Sequence, residues 1–316
     1  MNLYIYLNDC YVGFSNFHDT KTTIKFCIKK FILNQESSGH IAVTSCIKKI
    51  SDNSEKIFIN KIPNTKSNNY ALVTSGIDIL KALLRKKNKF KKLIVGPNMV
   101  HHLLENNKLM LDERIDTILV PSENIKSHYT NILSHENIKK DIAVWPAFPT
   151  DLIDYDLEEK PNELFFIIYL KDMQLENISL KIINILTSKN IKFIIIKYGN
   201  YEKLEFYKNL IKASHIIFLG GPESQCIAQF EAYFYKVELL ILANRRYKSK
   251  LELQFVFPNY LGFSSPYSDF LESNIFYHSY ELLNYLVKFK QANKKTSSKK
   301  TIFDDEIFNL RKIILD

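Results

Sequence analysis

Glycine and proline are scarce in this chain of 316 residues, at 8 and 9, against the roughly 7% and 5% of average usage. Collagen-like repeats and glycine- or proline-rich low-complexity segments are thereby excluded, and no G-x-G-x-x-G nucleotide loop is present. The few glycines are informative, because five fall at turns between apolar runs: Gly76, Gly96, Gly199, Gly220 and Gly221. Cysteine is sparse as well. Cys10, Cys27, Cys46 and Cys226 form no C-x-x-C pair and have no histidine at zinc spacing, which predicts reduced intracellular thiols and no bound metal. Apolar runs stay short; LFFIIYL at 164–170 is strand length, far from the about 20 residues of a bilayer span. The N-terminus also lacks the basic region of a signal peptide. A cytoplasmic protein is expected, soluble or peripheral on the inner face of the membrane.

The formal net charge is +9, and the excess is lysine, since arginine occurs only as Arg85, Arg114, Arg245, Arg246 and Arg311. The planar arginine fork that reads phosphates and base edges is nearly missing, which argues against nucleic acid as a partner. Two lysine clusters stand out, RKKNKFKK at 85–92 and the lysines between 288 and 300. They suit a solvated surface or an anionic membrane surface, and no nucleic-acid motif interleaves aromatics with them.

What is present is hydrophobic patterning, with 46% hydrophobic residues, enough for one large core or two medium ones. Short β runs alternate with longer amphipathic stretches, as in parallel sheets with crossover helices. Early strands are expected at 2–7, 41–46 and 56–62. There follow strand 71–75, helix 76–89, strand 92–96, helix 98–110, strand 116–120, helix 122–134 and strand 142–146. The proline-punctuated acidic stretch from 146 to 163 reads as an interdomain linker. A second cycle then runs through strand 164–170, helix 175–188, strand 192–198, helix 201–213, strand 215–219, helix 224–235 and strand 238–243. The expected fold class is α/β, with two Rossmann-like domains, an N-terminal one at 1–150 and a C-terminal one at 151–300. A last helix at 301–316, with Ile302, Ile307, Leu310 and Ile313 on one stripe, is expected to pack back on them.

The segment ASHIIFLGGPESQCIAQFEAYFYKVELLILA at 213–243 carries the richest chemistry. A buried strand ends in Gly220 and Gly221, and a helix opens within a few residues, so free N–H groups and the positive end of the helix dipole would favour a diphosphate there. Glu223 and Glu231 are eight residues apart, about 80° around a helix, so both can lean to one side. Such carboxylates can accept from sugar hydroxyls; the same spacing also arises by chance in many helices.

The run PESQCIAQFEA resembles the E-S-x-G-I-x-x-x-E-A signature of retaining glycosyltransferases of the GT-B fold, in particular glycosyltransferase family four, through Glu223, Ser224, Ile227, Glu231 and Ala232. KLIVGPN, ILVPSENIKSHY, IAVWPAFPTD and FFIIYLKDM agree with it in order, so the resemblance extends over about 70–316. It implies two Rossmann-like domains facing each other across a cleft, the acceptor mainly on the first and the nucleotide-sugar donor on the second. Glu223 would contact the donor sugar hydroxyls and Glu231 the ribose, while the N–H groups of Gln225, Cys226 and Ile227, beside Gly221, would receive the diphosphate. Lys171 would help neutralise it. No cofactor is implied beyond a nucleotide-diphosphate sugar as donor substrate; the acceptor would be a glycan or a lipid-linked one, as in surface polysaccharide assembly.

Several positions depart from that pattern. Cys226 stands where relatives commonly have glycine, and Glu176 and Asn177 lie where a second basic residue is expected. Where many relatives place a donor-contacting histidine, this chain has Gly96, Pro97 and Asn98, with His101 and His102 shortly after, so Asn98 or a histidine would take that role. The two histidines are candidates for an acceptor-activating base or plain surface residues. Tyr198, at a strand end, would line the base pocket or only form a turn. A catalytically silent relative that binds a sugar, nucleotide or partner is the alternative.

Overall fold

The computed structural model describes residues 2–6, 56–59, 61, 63–64, 68–97, 99, 103–146, 163–220, 227–242 and 273–289. Those up to 146 belong to one compact unit and those from 163 to 289 to a second. The strand expected at 41–46, most of the 146–163 linker and the last helix at 301–316 lie outside the described residues.

In the first unit six parallel strands form one sheet: β1 (Asn2–Tyr6), β2 (Lys56–Ile59), β3 (Asn69–Val73), β4 (Lys92–Val95), β5 (Thr117–Val120) and β6 (Asp141–Val144), in the order β2-β1-β3-β4-β5-β6. Parallel strands covered on both faces read as continuous apolar runs, and every residue of β3, β5 and the stretch Leu3 to Tyr6 is buried. Helix α1 (Ile77–Leu84) starts after Gly76, whose φ of 100° suits glycine, and buries Ile79, Leu80, Leu83 and Leu84. Helix α2 (Glu123–His135) is capped by Ser122, whose side chain accepts from the Ile125 N–H at 3.2 Å. Its buried residues, Ile125, His128, Tyr129, Ile132 and Leu133, follow helical spacing to one face. Trp145, just past β6, is wholly buried.

Of the helix expected at 98–110, the described residues form only a single irregular turn, Glu105–Lys108. Asn106, Asn107 and Lys108 have φ of 54°, 58° and 59°, and a 3-10 turn follows at Leu109–Leu111. Asparagine tolerates this left-handed region better than most residues, while buried Leu103, Leu104, Met110 and Leu111 anchor the stretch at both ends. Apolar spacing there reflects anchoring, not a helical stripe. The lysine cluster at 85–92 is partly used within the fold: Lys87 Nζ lies 2.7 Å from Asp116 Oδ2, Lys89 Nζ donates to the Pro63 carbonyl, and Lys91 sits over the Tyr70 ring.

The second unit has five parallel strands: β7 (Phe165–Leu170), β8 (Lys192–Lys197), β9 (His215–Leu219), β10 (Glu238–Leu242) and β11 (Ser273–Phe276), in the order β11-β10-β9-β7-β8. Its helices are α3 (Glu176–Ser188), α4 (Lys203–Lys212), α5 (Ile227–Phe234) and α6 (Ser279–Lys288). Alternate residues of β7 serve opposite faces. Phe166, Ile168 and Leu170 pack with Ile182 and Leu186 of α3 and Leu282 and Leu286 of α6. Tyr169 faces Phe206 of α4, with ring centroids 5.9 Å apart. Strand β8 is an edge of this sheet among the described residues; its two terminal lysines are exposed and only Ile196 is buried. Both units are therefore Rossmann-like, each sheet reversing its order beside its first strand. Strand β11 and helix α6 were not foreseen, although His278 and Glu281 form a capping box at the start of α6.

Candidate functional site

In an open parallel sheet the ligand crevice lies at the carboxyl ends of the strands, where the strand order reverses. In the second unit that point falls between β7 and β9. The chain leaving β7 is held there, since the N–H groups of Lys171 and Asp172 donate to the carbonyl of Leu219 at 2.9 and 3.3 Å. Asp172 then accepts from the Gln174 N–H at 2.9 Å and caps a 3-10 turn, Met173–Leu175, leading into α3. Lys171 and Gly220 thus leave adjacent strand ends side by side.

Lys171 extends its ammonium over the ring of Tyr198, 4.7 Å from the centroid, a cation–π contact. Tyr198 follows β8 directly, its N–H donating to Leu170 O, and is 57% exposed. Gly199, with φ of 76°, turns the chain after it. The Tyr169 and Tyr201 hydroxyls lie 3.2 Å apart, and Tyr201 packs on Phe206, so aromatic rings continue from Tyr198 toward α4. Lys197, the last residue of β8, pairs with Glu176 at 3.7 Å. The carboxylate found where a second basic residue was expected is accordingly matched by a lysine from the neighbouring strand.

Glu231 stands in α5, a helix so short and so nearly buried all round that the carboxylate is 3% exposed. A buried carboxylate needs donors to replace its water. Two come from α4: Lys203 Nζ lies 2.9 Å from Glu231 Oε1, and the Tyr207 hydroxyl donates to the same oxygen at 3.0 Å. The Lys203 ammonium also lies 5.6 Å from the centre of the Tyr207 ring, and Tyr207 packs in turn against Tyr235. Lys203 and Tyr207 are four residues apart and share one face of α4. That spacing was readable, but its aim at Glu231 depends on how α4 and α5 pack.

Of the candidate residues, the structure brings Lys171 and Tyr198 together and sets Glu231 in a separate cluster one helix turn into α5. Ile227, the first described residue of that helix, is half-buried. Gly221, Glu223, Ser224, Gln225 and Cys226 lie outside the described residues, as do Asn98, His101 and His102. Among the described residues no group of three or more metal-ligating side chains comes together, and no helix is long and apolar enough to cross a membrane.

No protein-family model matches the chain, and no curated protein matches it. Among solved structures, one described as "Crystal structure of GtfA/B complex" is similar over 55% of this chain and 42% of its own, with 12% sequence identity and a TM-score of 0.41. This chain therefore spans less than half the length of that neighbour.

Proposed function

We propose that the chain is a retaining glycosyltransferase of the GT-B class, similar to family four, which moves a sugar from a nucleotide-diphosphate donor to a glycan or lipid-linked acceptor. The observation that carries this reading is Glu231, a buried carboxylate held by donors from α4, in the helix that follows β9, and standing eight residues after Glu223. In this reading Glu231 accepts from the ribose hydroxyls and Glu223 from the sugar. The N–H groups of residues 225–227 receive the diphosphate, and Lys171 offsets the charge that grows on it as the bond from the anomeric carbon to the diphosphate oxygen breaks. The acceptor oxygen bonds to the same face of that carbon, and its proton passes to the leaving phosphate. Tyr198, exposed and at the strand end, offers a ring for the base to stack on. Contact with an anionic membrane surface through lysines outside the ion pairs above would suit a lipid-linked acceptor.

The decisive experiment is a panel of nucleoside diphosphates and nucleotide sugars, followed by calorimetric titration and by hydrolysis of the donor. One nucleotide sugar is expected to bind and to be slowly hydrolysed, and Glu223→Ala is expected to abolish hydrolysis with the melting temperature retained. Absence of binding by every member at millimolar concentration would sink the reading. Glu176 at the start of α3, in place of a lysine, favours one alternative, a catalytically silent relative. Binding without hydrolysis of any donor would select it.

A further inference from the structure

Among the described residues, Lys203 and Tyr207 of one helix both donate to Glu231 and converge on one oxygen, Oε1. An ammonium and a hydroxyl that donate to the same carboxylate oxygen restrict the side-chain rotamer, because moving that oxygen would break both bonds together. The grip is itself supported. The Tyr207 ring lies beneath the ammonium that shares its acceptor, and packing against Tyr235 and Phe206 holds that ring. Lys203 is the first residue of α4 and its side chain is only 26% exposed, so its ammonium is committed inward.

We infer that Lys203 and Tyr207 are positioning residues that aim the Glu231 carboxylate at a vicinal diol, and so make the second unit selective for ribonucleotides over nucleotides lacking that diol. This rests on the reading of Glu231 as the ribose-binding carboxylate given above. Two adjacent hydroxyls can both donate to a carboxylate only if its acceptor directions are set beforehand. A ligand without them leaves the aimed group unmatched, and discrimination follows from that mismatch. Lys203 could also be read as a cation that attracts phosphate. The two roles differ in outcome: a phosphate-attracting lysine strengthens ribose and dideoxyribose nucleotides alike, whereas a positioning lysine changes their ratio.

The test uses the full chain, the nucleoside diphosphate that it binds best among UDP, GDP and ADP, and the 2′,3′-dideoxy counterpart of that compound, by calorimetric titration. The wild type is expected to favour the ribose form by about tenfold or more. Lys203→Met is expected to bring the ratio to within about threefold of unity, Tyr207→Phe to lower it by about threefold, and Lys203→Arg to keep most of it. Melting curves establish that each variant is folded; should Lys203→Met fail to fold, the comparison of Tyr207→Phe with Lys203→Arg decides. An unchanged ratio in the folded variants, or an equal loss for both nucleotides, overturns the inference. A wild type that binds nucleotides without preferring the ribose form overturns this inference alone. A wild type that binds none removes the glycosyltransferase reading and the inference with it.

Discussion

At the scale of single residues, Gly96 is the most tightly enclosed of Gly96, Gly199 and Gly220. Its φ is 121°, and a Cβ placed on it would stand 2.2 Å from the carbonyl oxygen of Leu119. That oxygen belongs to β5, the neighbour of β4, whose last residue directly precedes Gly96. A methyl group cannot move aside and the backbone it meets belongs to a buried strand, so strain and clash add. Gly96→Ala is expected to lower stability by at least about 2 kcal/mol, measured as the shift in the urea midpoint with an unchanged slope. The contrast with Gly220 is instructive, because a Cβ there meets nothing within 4 Å. Scarcity of glycine marked both positions as turns, and only the packed sheet distinguishes the one that admits no side chain from the one that does.

At the scale of elements, the turn before β5 is tied by charge. Arg114 donates to Asp112 through Nε at 2.8 Å and Nη2 at 2.6 Å, and through Nη1 to the Leu84 carbonyl at the end of α1. The Arg114 guanidinium holds the Asp112 carboxyl below its ordinary value of 3.8. A carboxylate depressed in this way contributes stability that is whole above the unfolded value and lost as pH falls through the folded one. Asp112→Asn is therefore expected to flatten the fall of the urea midpoint between about pH 5 and about pH 2, relative to the wild type. Most such elements were legible beforehand: apolar runs at 71–75, 92–96, 164–170 and 215–219 coincide to within a residue or two with buried strands because parallel strands are apolar on both faces. The region 103–111 was not, since leucines anchoring a turn mimic the spacing of a helix. In the candidate site, the spacing of Lys203 and Tyr207 was visible in the sequence, whereas the carboxylate they hold lies 28 and 24 positions onward, respectively, and is joined to them only by tertiary packing.

At the scale of the molecule, two sheets with two cores make two units that can respond separately to a ligand. A nucleotide that binds the second unit stabilises it by mass action, about 2.7 kcal/mol at a hundredfold excess over Kd. Differential scanning calorimetry is expected to show an upward shift confined to one of two resolved components; an equal shift of the whole endotherm would argue against a ligand site built by the second unit alone. Among the described residues, strand β8 with the sequence KFIIIK is an edge of the second sheet. The segment reads alike in both directions at its ends. A second copy laid against it in register, whether parallel or antiparallel, sets lysine opposite lysine at each end of the run Phe193 to Ile196. The sheet is thereby guarded against growing into a neighbouring molecule by its own near-palindrome, and an apolar centre in which Ile196 is buried and Ile195 exposed can be kept without becoming an adhesive border.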